Sequence, residues 1–302
     1  MQAGRIQIRD GVTARSVQSA SILSKTSGFI AEAGFTHSLT PARNCTFGCT
    51  YCYVPTLGIY GGLKPEDWKR WGQFTTFKRN APDLLRTTLS RASSALPLRL
   101  YCSPLVDPYQ PAEAEAQMMP RILDALIASP PAVFTIQTRG PMILRDLDRL
   151  REVARRTTLR VSFSITTNRE EVRRLYEPLC APTEERLRVI RALREAEIET
   201  YATLAPILPC DPEVLARIAI EASGRDLIGD PLHVRAVKRH GATTREAAWR
   251  ISEVQHFTQW LDAGFQATLI EQIRQAAGAL GKTFETGPRG FARLAQARVA
   301  QR

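Results

Sequence analysis

Between about residues 80 and 235, short runs rich in β-branched and aromatic residues alternate with runs of helical period. The alternation predicts strands at residues 35–40, 98–103, 132–138, 159–165, 200–206 and 232–237. Leu144, Leu147, Leu150 and Val153 form one apolar helical stripe. Leu187, Ile190 and Leu193 form another, with Thr183 as the expected N-cap and Glu184 and Glu185 in the first turn. Residues 111–129 read as helical, with Pro120 marking a kink or a helix start. Parallel strands need crossover connections, so strand–helix alternation implies a parallel sheet. About six such units make an α/β partial (β/α)6 barrel, whose functional face is the C-terminal ends of its strands. In residues 159–165, Leu159, Val161, Phe163 and Ile165 share one face, and Arg160, Ser162 and Ser164 share the other. That division suits an apolar side against helices and a polar side toward a pocket. From Gly241 the pattern is helical only, through Trp249, Val254, Phe257 and Trp260. The expected organisation is an N-terminal segment (1–34), a barrel (35–239) and a helical appendage (240–302).

The 302 residues are 44% hydrophobic and 24% charged, which excludes collagen-like, disordered and mucin-like chains. A chain of this length can bury a core without disulfide staples. No apolar run reaches the roughly 18–20 residues of a membrane span. The opening residues MQAGRIQIRD contain no apolar signal core, so the expectation is a cytoplasmic protein without membrane association. Forty-one basic against thirty acidic residues give a net charge of +11. Such a surplus attracts polyanions, nucleic acid among them, or serves simply as a soluble basic surface. Residues 281–302 carry a net +4 and form either a phosphate-contacting arm or a frayed tail. Trp68 and Trp71 stand among Lys64, Lys69 and Arg70. They offer stacking surfaces beside cations, as single-stranded bases require, or they anchor a loop on the barrel rim.

Of six cysteines, Cys45, Cys49 and Cys52 fall within eight residues, in the segment NCTFGCTYCY. The C-x3-C-x2-C spacing follows the first predicted strand and puts three thiols on one tight loop. Three thiolates can hold three irons of a 4Fe–4S cube and leave the fourth iron open to another ligand. Gly48 lets the backbone wrap closely. A structural zinc ion would need a distant fourth ligand, such as His37 or Cys102. A ferredoxin-type carrier would supply a fourth cysteine. Cys180 and Cys210 are expected in loops without redox work.

This spacing, with an aromatic residue before the last cysteine, resembles the signature of the radical S-adenosylmethionine superfamily. Further segments narrow the resemblance: YCSPLVDPYQP (101–111), IQTRGPMILRDLD (136–148), VSFSIT (161–166), EPLCAPTEERLRVIRALR (177–194) and TLAPILP (203–209). With CTFGCTYCYVP they are similar to the spore photoproduct lyase-like, DNA repair photolyase-related branch, over roughly residues 28–215. The resemblance implies a 4Fe–4S cluster on Cys45, Cys49 and Cys52. Its open iron would chelate S-adenosylmethionine, which the reduced cluster cleaves to a 5′-deoxyadenosyl radical. It implies an electron donor, such as a flavodoxin or ferredoxin.

It also implies roles for single residues. Tyr51 takes the place of the adenine-contacting aromatic, and Tyr53 matches a second tyrosine that joins it in hydrogen-atom relay. Arg139 stands where the lyases have a lysine that meets the methionine carboxylate, and arginine keeps the charge. Ser164 and Ala205 match cofactor-holding positions of the fourth and fifth strands, and Ser103 is a methionine contact. Asp107 either orients substrate or braces its loop. Cys102 stands close to the lyase cysteine that returns a hydrogen atom to the repaired base. Strand alternation nevertheless groups Cys102 with Leu98 and Leu100, on the side expected to face helices. The favoured reading is a radical enzyme acting on a nucleic acid lesion or nucleobase. A peptide or small-metabolite substrate is the alternative, and a non-enzymatic iron–sulfur or zinc module is the third.

Overall fold

The computed structural model describes residues 5–9, 12–57, 63, 66, 69–91, 97–232 and 246–298. The chain begins with β1 (Arg5–Arg9), β2 (Val12–Val17), β3 (Leu23–Lys25), α1 (Gly28–Glu32), β4 (His37–Leu39) and β5 (Ala42–Arg43). After the cysteine loop come β6 (Phe74–Lys78), α2 (Ala81–Ser90), β7 (Arg99–Cys102), α3 (Glu113–Ala116) and α4 (Met118–Ala128). Then follow β8 (Val133–Thr138), α5 (Leu147–Arg156), β9 (Thr158–Ser164), α6 (Glu170–Tyr176), α7 (Thr183–Glu195), β10 (Thr200–Ile207) and α8 (Pro212–Ser223). The last elements are β11 (Leu227–Pro231), α9 (Glu246–Val254), α10 (Ala263–Ala279), β12 (Phe284–Thr286) and α11 (Gly287–Ala295).

Eight strands form one sheet in the order β12-β11-β10-β9-β8-β7-β4-β3. Every pair from β4 to β12 is parallel, and β3 alone runs antiparallel, against β4. Crossover helices return each strand to the same end, so loops leaving the C-terminal ends collect on one face, as the pattern predicts. A second sheet of four strands, β1-β2-β6-β5, flanks the first and leads through β5 into the cysteine loop.

The sequence pattern and the structure part at four places. The last predicted strand falls earlier, at Leu227–Pro231; residues 233–237 lie outside the described residues. Thr183 is the first helical residue of α7, behind Pro182, and its hydroxyl donates to the Thr167 carbonyl (3.0 Å). The helix read over 111–129 breaks at Gln117, whose φ of 47° ends α3 and starts α4. Pro120 then sits in the first turn of α4, where its missing N–H has no partner to lose.

The fourth difference concerns residues 240–302. Beyond its helices this stretch contributes β12, parallel to β11, and α11, which covers the inner face of the sheet. Phe291, Leu294 and Ala295 pack with Phe35, Tyr101, Tyr201 and Ile228. Thr135 Oγ1 donates to the Leu294 carbonyl (2.8 Å), and Arg160 reaches the Leu294 and Gln296 carbonyls as well as Glu199. The polar side of β9 therefore divides in two. Its lower part is sealed by α11, and only its C-terminal end is left for a ligand. The opposite, apolar face holds Leu100, Phe134, Leu159, Val161 and Phe163 against the helix layer.

Candidate functional site

The cysteine loop follows β5 at the C-terminal end of the sheet. Its entry is clamped by Gln110, a buried residue whose Oε1 accepts from the Thr46 N–H (2.8 Å) and the Thr46 hydroxyl (3.1 Å). Thr46 Oγ1 accepts in turn from the Ala112 N–H (3.2 Å). Gly48 adopts a φ of 63° against Gly72. The loop's exit is clamped from the other side: the Thr50 N–H and hydroxyl both donate to the Tyr176 carbonyl (2.9 and 3.2 Å). Cys45 and Cys49 are buried, and Cys52 is half-buried. All six cysteines are free.

Below this loop lies a buried ionic cluster centred on Glu177. Its Oε1 accepts from the Tyr51 hydroxyl and from Arg139 Nη1, which also bonds the Tyr51 oxygen. Its Oε2 takes Arg186 Nη2 at 2.5 Å. Burial alone would raise the Glu177 pKa, but Arg186 and Arg139 outweigh it and bring the carboxyl down to about 2. Arg173 ties the same turn by donating to the Glu177 and Cys180 carbonyls (2.8 Å each). Cys180 is thereby held with its sulfur 3.8 Å from that of Cys49. Contact with Cys180, with help from the Arg139 charge, favours the Cys49 thiolate despite burial; burial and then Cys49 raise the Cys180 thiol.

Asp107 proves to be a brace. Its carboxylate accepts from the Tyr109 N–H (2.9 Å), the Thr138 hydroxyl (2.6 Å) and the Arg139 N–H (2.8 Å), fixing the end of β8. Ser103 is buried with its hydroxyl on Thr40 Oγ1 (3.3 Å). Ala205 lies on β10, half-buried against the inner cluster. Ser164 Oγ and Thr166 Oγ1, two residues apart at the end of β9, are buried without a hydrogen-bond partner. Ser162, one step down the same face, is satisfied by Thr203 (2.7 Å). Buried hydroxyls without partners are rare, and a pair of them at a strand's C-terminal end suits a polar ligand.

The three tyrosines and Cys102 separate. Tyr51 is buried and points into the ionic cluster. Tyr53 is 37% exposed, with its hydroxyl 3.4 Å from the Pro104 carbonyl. Loss of solvent around the phenol, then Cys52 and Asp230, push it up to about 12. Cys102 has no exposure and belongs to the helix-facing cluster with Leu100, where burial and then Asp107 and Glu113 raise its thiol. Alternation along β7 instead turns Tyr101 to the inner side, next to Tyr53. Trp71 is buried in the core, so it anchors and does not stack on a ligand; Trp68 and Lys64 lie outside the described residues. His37 bonds the Thr36 hydroxyl in the sheet (3.1 Å). Cys180, rather than His37 or Cys102, is the further ligand-type side chain beside the loop. Among the described residues no three His, Cys, Asp or Glu side chains are arranged to hold a single metal ion.

Comparison with solved structures finds the same architecture. A double mutant of spore photoproduct lyase with bound AdoMet and dinucleoside spore photoproduct superposes with a TM-score of 0.60 at 13% identity, over 90% of this chain and 80% of that one. The lyase complexed with dinucleoside spore photoproduct gives 0.59 at 14% identity, over 90% and 81%. The chain shares the fold of spore photoproduct lyase. Its parallel sheet is consistent with that fold, and its C-terminal region is helical apart from β12. No family model matches the sequence. An uncharacterized protein of Mycobacterium tuberculosis is 30% identical over 200 residues, 66% of this chain and 57% of its own length. One of Methanocaldococcus jannaschii is 26% identical over 165 residues (55% and 58%), and one of Acidianus two-tailed virus 27% over 215 (66% and 68%). The match thus spans little more than half of the mycobacterial relative. No helix among the described residues is long and apolar enough to cross a membrane.

Glu177, Arg186, Cys180, Gln110 and Thr166 are site residues that composition and spacing do not single out. The signal was the company they keep. Gln110 stands in DPYQP, and Glu177 precedes a proline between two helices, where a buried acid has no role in either helix.

Proposed function

We propose that this protein is a radical S-adenosylmethionine enzyme whose substrate is a nucleic acid lesion or nucleobase. The observation that carries the reading is the juxtaposition of three free thiols on one clamped loop with two unpartnered hydroxyls at the end of β9. The donor set fits the group: Cys45, Cys49 and Cys52 would hold a 4Fe–4S cluster, and Ser164, Thr166 and Ala205 would line S-adenosylmethionine. When bound, these cofactors supply a 5′-deoxyadenosyl radical for hydrogen abstraction.

The chain's own residues do the rest. Gln110 and the Tyr176–Glu177 turn grip the ligand loop at both ends, so its thiols are preorganised. Arg139 uses Nη1 on Glu177 and Tyr51, which fixes its guanidinium beside the loop with the remaining N–H groups to offer a carboxylate. Tyr51 is a positioning residue. Tyr53, partly exposed beside Asp230, is the tyrosine that meets substrate, with Tyr101 behind it. Helix α11 fills the sheet's inner face from below and keeps water out of that side. The nucleic acid assignment draws on the net charge of +11 and on the dinucleoside held by the lyase of the same fold.

Anaerobic reconstitution followed by dithionite and S-adenosylmethionine tests the proposal. It expects a cuboidal cluster and 5′-deoxyadenosine, with altered cleavage when UV-irradiated DNA is added. An intact cube that yields no 5′-deoxyadenosine would reject it.

A further inference from the structure

The four-stranded sheet has two unlike faces. On one, Ala14, Ala42, Thr75 and Phe77 are buried. From this side Thr75 Oγ1 donates to the carbonyls of Arg43 and Asn44 (3.1 Å each), the two residues that lead into Cys45. Alternation assigns Thr13, Arg15, Phe74, Thr76 and Lys78 to the other face. There the register sets Arg15 and Arg43 on either side of Thr76. Arg15 and Arg43 are exposed, and so is Arg79, which follows β6. Arg70 extends the face, with its guanidinium 5.8 Å from the centre of the Phe74 ring.

Among the described residues this face shows no counter-charge. Strands β1, β2, β5 and β6 contain no acidic residue. Among the described residues no ion pair reaches Arg15, Arg43 or Arg79. Many exposed arginines elsewhere are paired, as in Arg149 with Asp124, Arg156 with Glu152 and Arg274 with Glu271. Arg43 and Lys78 lie close enough that the Lys78 ammonium is pushed down, by burial first and by Arg43 second. Like charges gathered on adjacent strands destabilise a sheet slightly and are relieved by a partner of opposite charge.

We infer that this basic face docks an acidic electron-donor protein behind the ligand loop. The inference rests on the cluster reading above, since an electron is of use only if Cys45, Cys49 and Cys52 hold a redox centre. Electron transfer weakens steeply with distance, and Arg43 stands two residues from Cys45 on the strand that enters the loop. A nucleic acid strand bound for chemistry must instead reach the C-terminal ends of β9 to β11, whereas the basic face is turned away from the core. The step is a one-electron transfer: an anionic flavin hydroquinone becomes the neutral semiquinone, the cluster gains that electron, and no proton moves.

The test uses the full chain, reconstituted, with an acidic flavodoxin as probe. Binding of labelled flavodoxin is read by fluorescence anisotropy at low and high salt, and cluster reduction by the bleaching of its visible absorbance. The double variant Arg15→Glu with Arg43→Glu is expected to weaken binding about tenfold or more and to flatten its salt dependence. Its iron content and its 5′-deoxyadenosine yield with dithionite should stay at wild-type levels, which shows that it folds. Arg274→Glu, on the far-lying α10, should leave flavodoxin binding unchanged. Unchanged affinity in the double variant overturns the inference. So does a loss confined to single-stranded DNA, which would assign the face to nucleic acid. If wild-type protein makes no 5′-deoxyadenosine with dithionite, the functional reading itself fails and takes the docking surface with it.

Discussion

Gly48 and Gly72 meet backbone against backbone: a Cβ built on Gly72 falls 2.8 Å from the Gly48 Cα. Both residues have positive φ, 63° and 96°, so neither tolerates a side chain by conformation or by space. The contact presses the start of β6 against the cysteine loop. Gly72→Ala should destabilise the fold by roughly 1–3 kcal/mol and lower the iron taken up on reconstitution. Gly278→Ala is the control. It sits in α10 with nothing within 4 Å of the added carbon, and should stabilise by about 0.5–1 kcal/mol in urea unfolding.

Glu177 offers a sharper test of the ionic cluster. Glu177→Gln leaves Arg139 and Arg186 buried without a counter-charge and should cost about 3–5 kcal/mol in denaturant unfolding. The wild-type carboxyl stays ionised down to a pH of about 2, below its ordinary value. Its contribution is therefore present above the usual carboxylate range and is lost as pH falls through that interval. Acid unfolding of the variant should lack this component.

The cysteines should divide by role. Cys49→Ala is expected to abolish stable iron and sulfide binding, because the loop would then offer two thiols. Cys180→Ala should retain both, since Cys180 lies beside the ligand loop and not on it. Iron and acid-labile sulfide assays on reconstituted protein decide the matter. A Cys180→Ala variant stripped of iron would make Cys180 a ligand.

Much of this site was legible in the chain, and the reason differs by residue. Strand positions such as Ser164 follow from two-residue alternation, which also sets Cys102 on the helix side and Tyr101 on the other. The ligand loop is legible because its spacing is short and local. Glu177 and Arg186 are not, because their pairing with Arg139 and Tyr51 joins segments far apart in sequence, and a lone acid among arginines reads as surface charge. The packing of helix α11 is illegible for a similar reason. Its apolar residues Phe291 and Leu294 mark it as amphipathic, but nothing local says that the surface awaiting it is the inner side of a sheet built nearly 200 residues earlier.

Glu113 gives a pH effect of the opposite sign. It has no exposed surface, its Oε2 has no partner, and burial raises its pKa to about 7 against the pull of the Met119 N–H and Arg145. Over the interval from its ordinary value to about 7 the native state holds the proton more tightly. Stability from this group is thus complete at low pH and declines as pH rises through that interval, at about 1.4 kcal/mol per unit at most. Glu113→Gln should flatten the stability profile between pH 5 and pH 8, measured by urea unfolding (~pH 5 and ~pH 8 as end points).

The inner face can be tested through its largest plug. Phe291 stacks edge-on against Phe29 with ring centres 5.1 Å apart and is buried. Phe291→Ala should cost about 3–5 kcal/mol and expose the Tyr101 side of the sheet to a dye such as ANS.

That plug arrives late. Ribosomes release β12 and α11 after every other strand of the large sheet has emerged, so a nascent chain waits with Tyr101, Thr135 and Arg160 facing an open trough. Until then the growing polypeptide shows chaperones a long sticky concavity. Cotranslational assembly of this architecture is accordingly a matter of holding a half-made vessel safe until its floor is delivered.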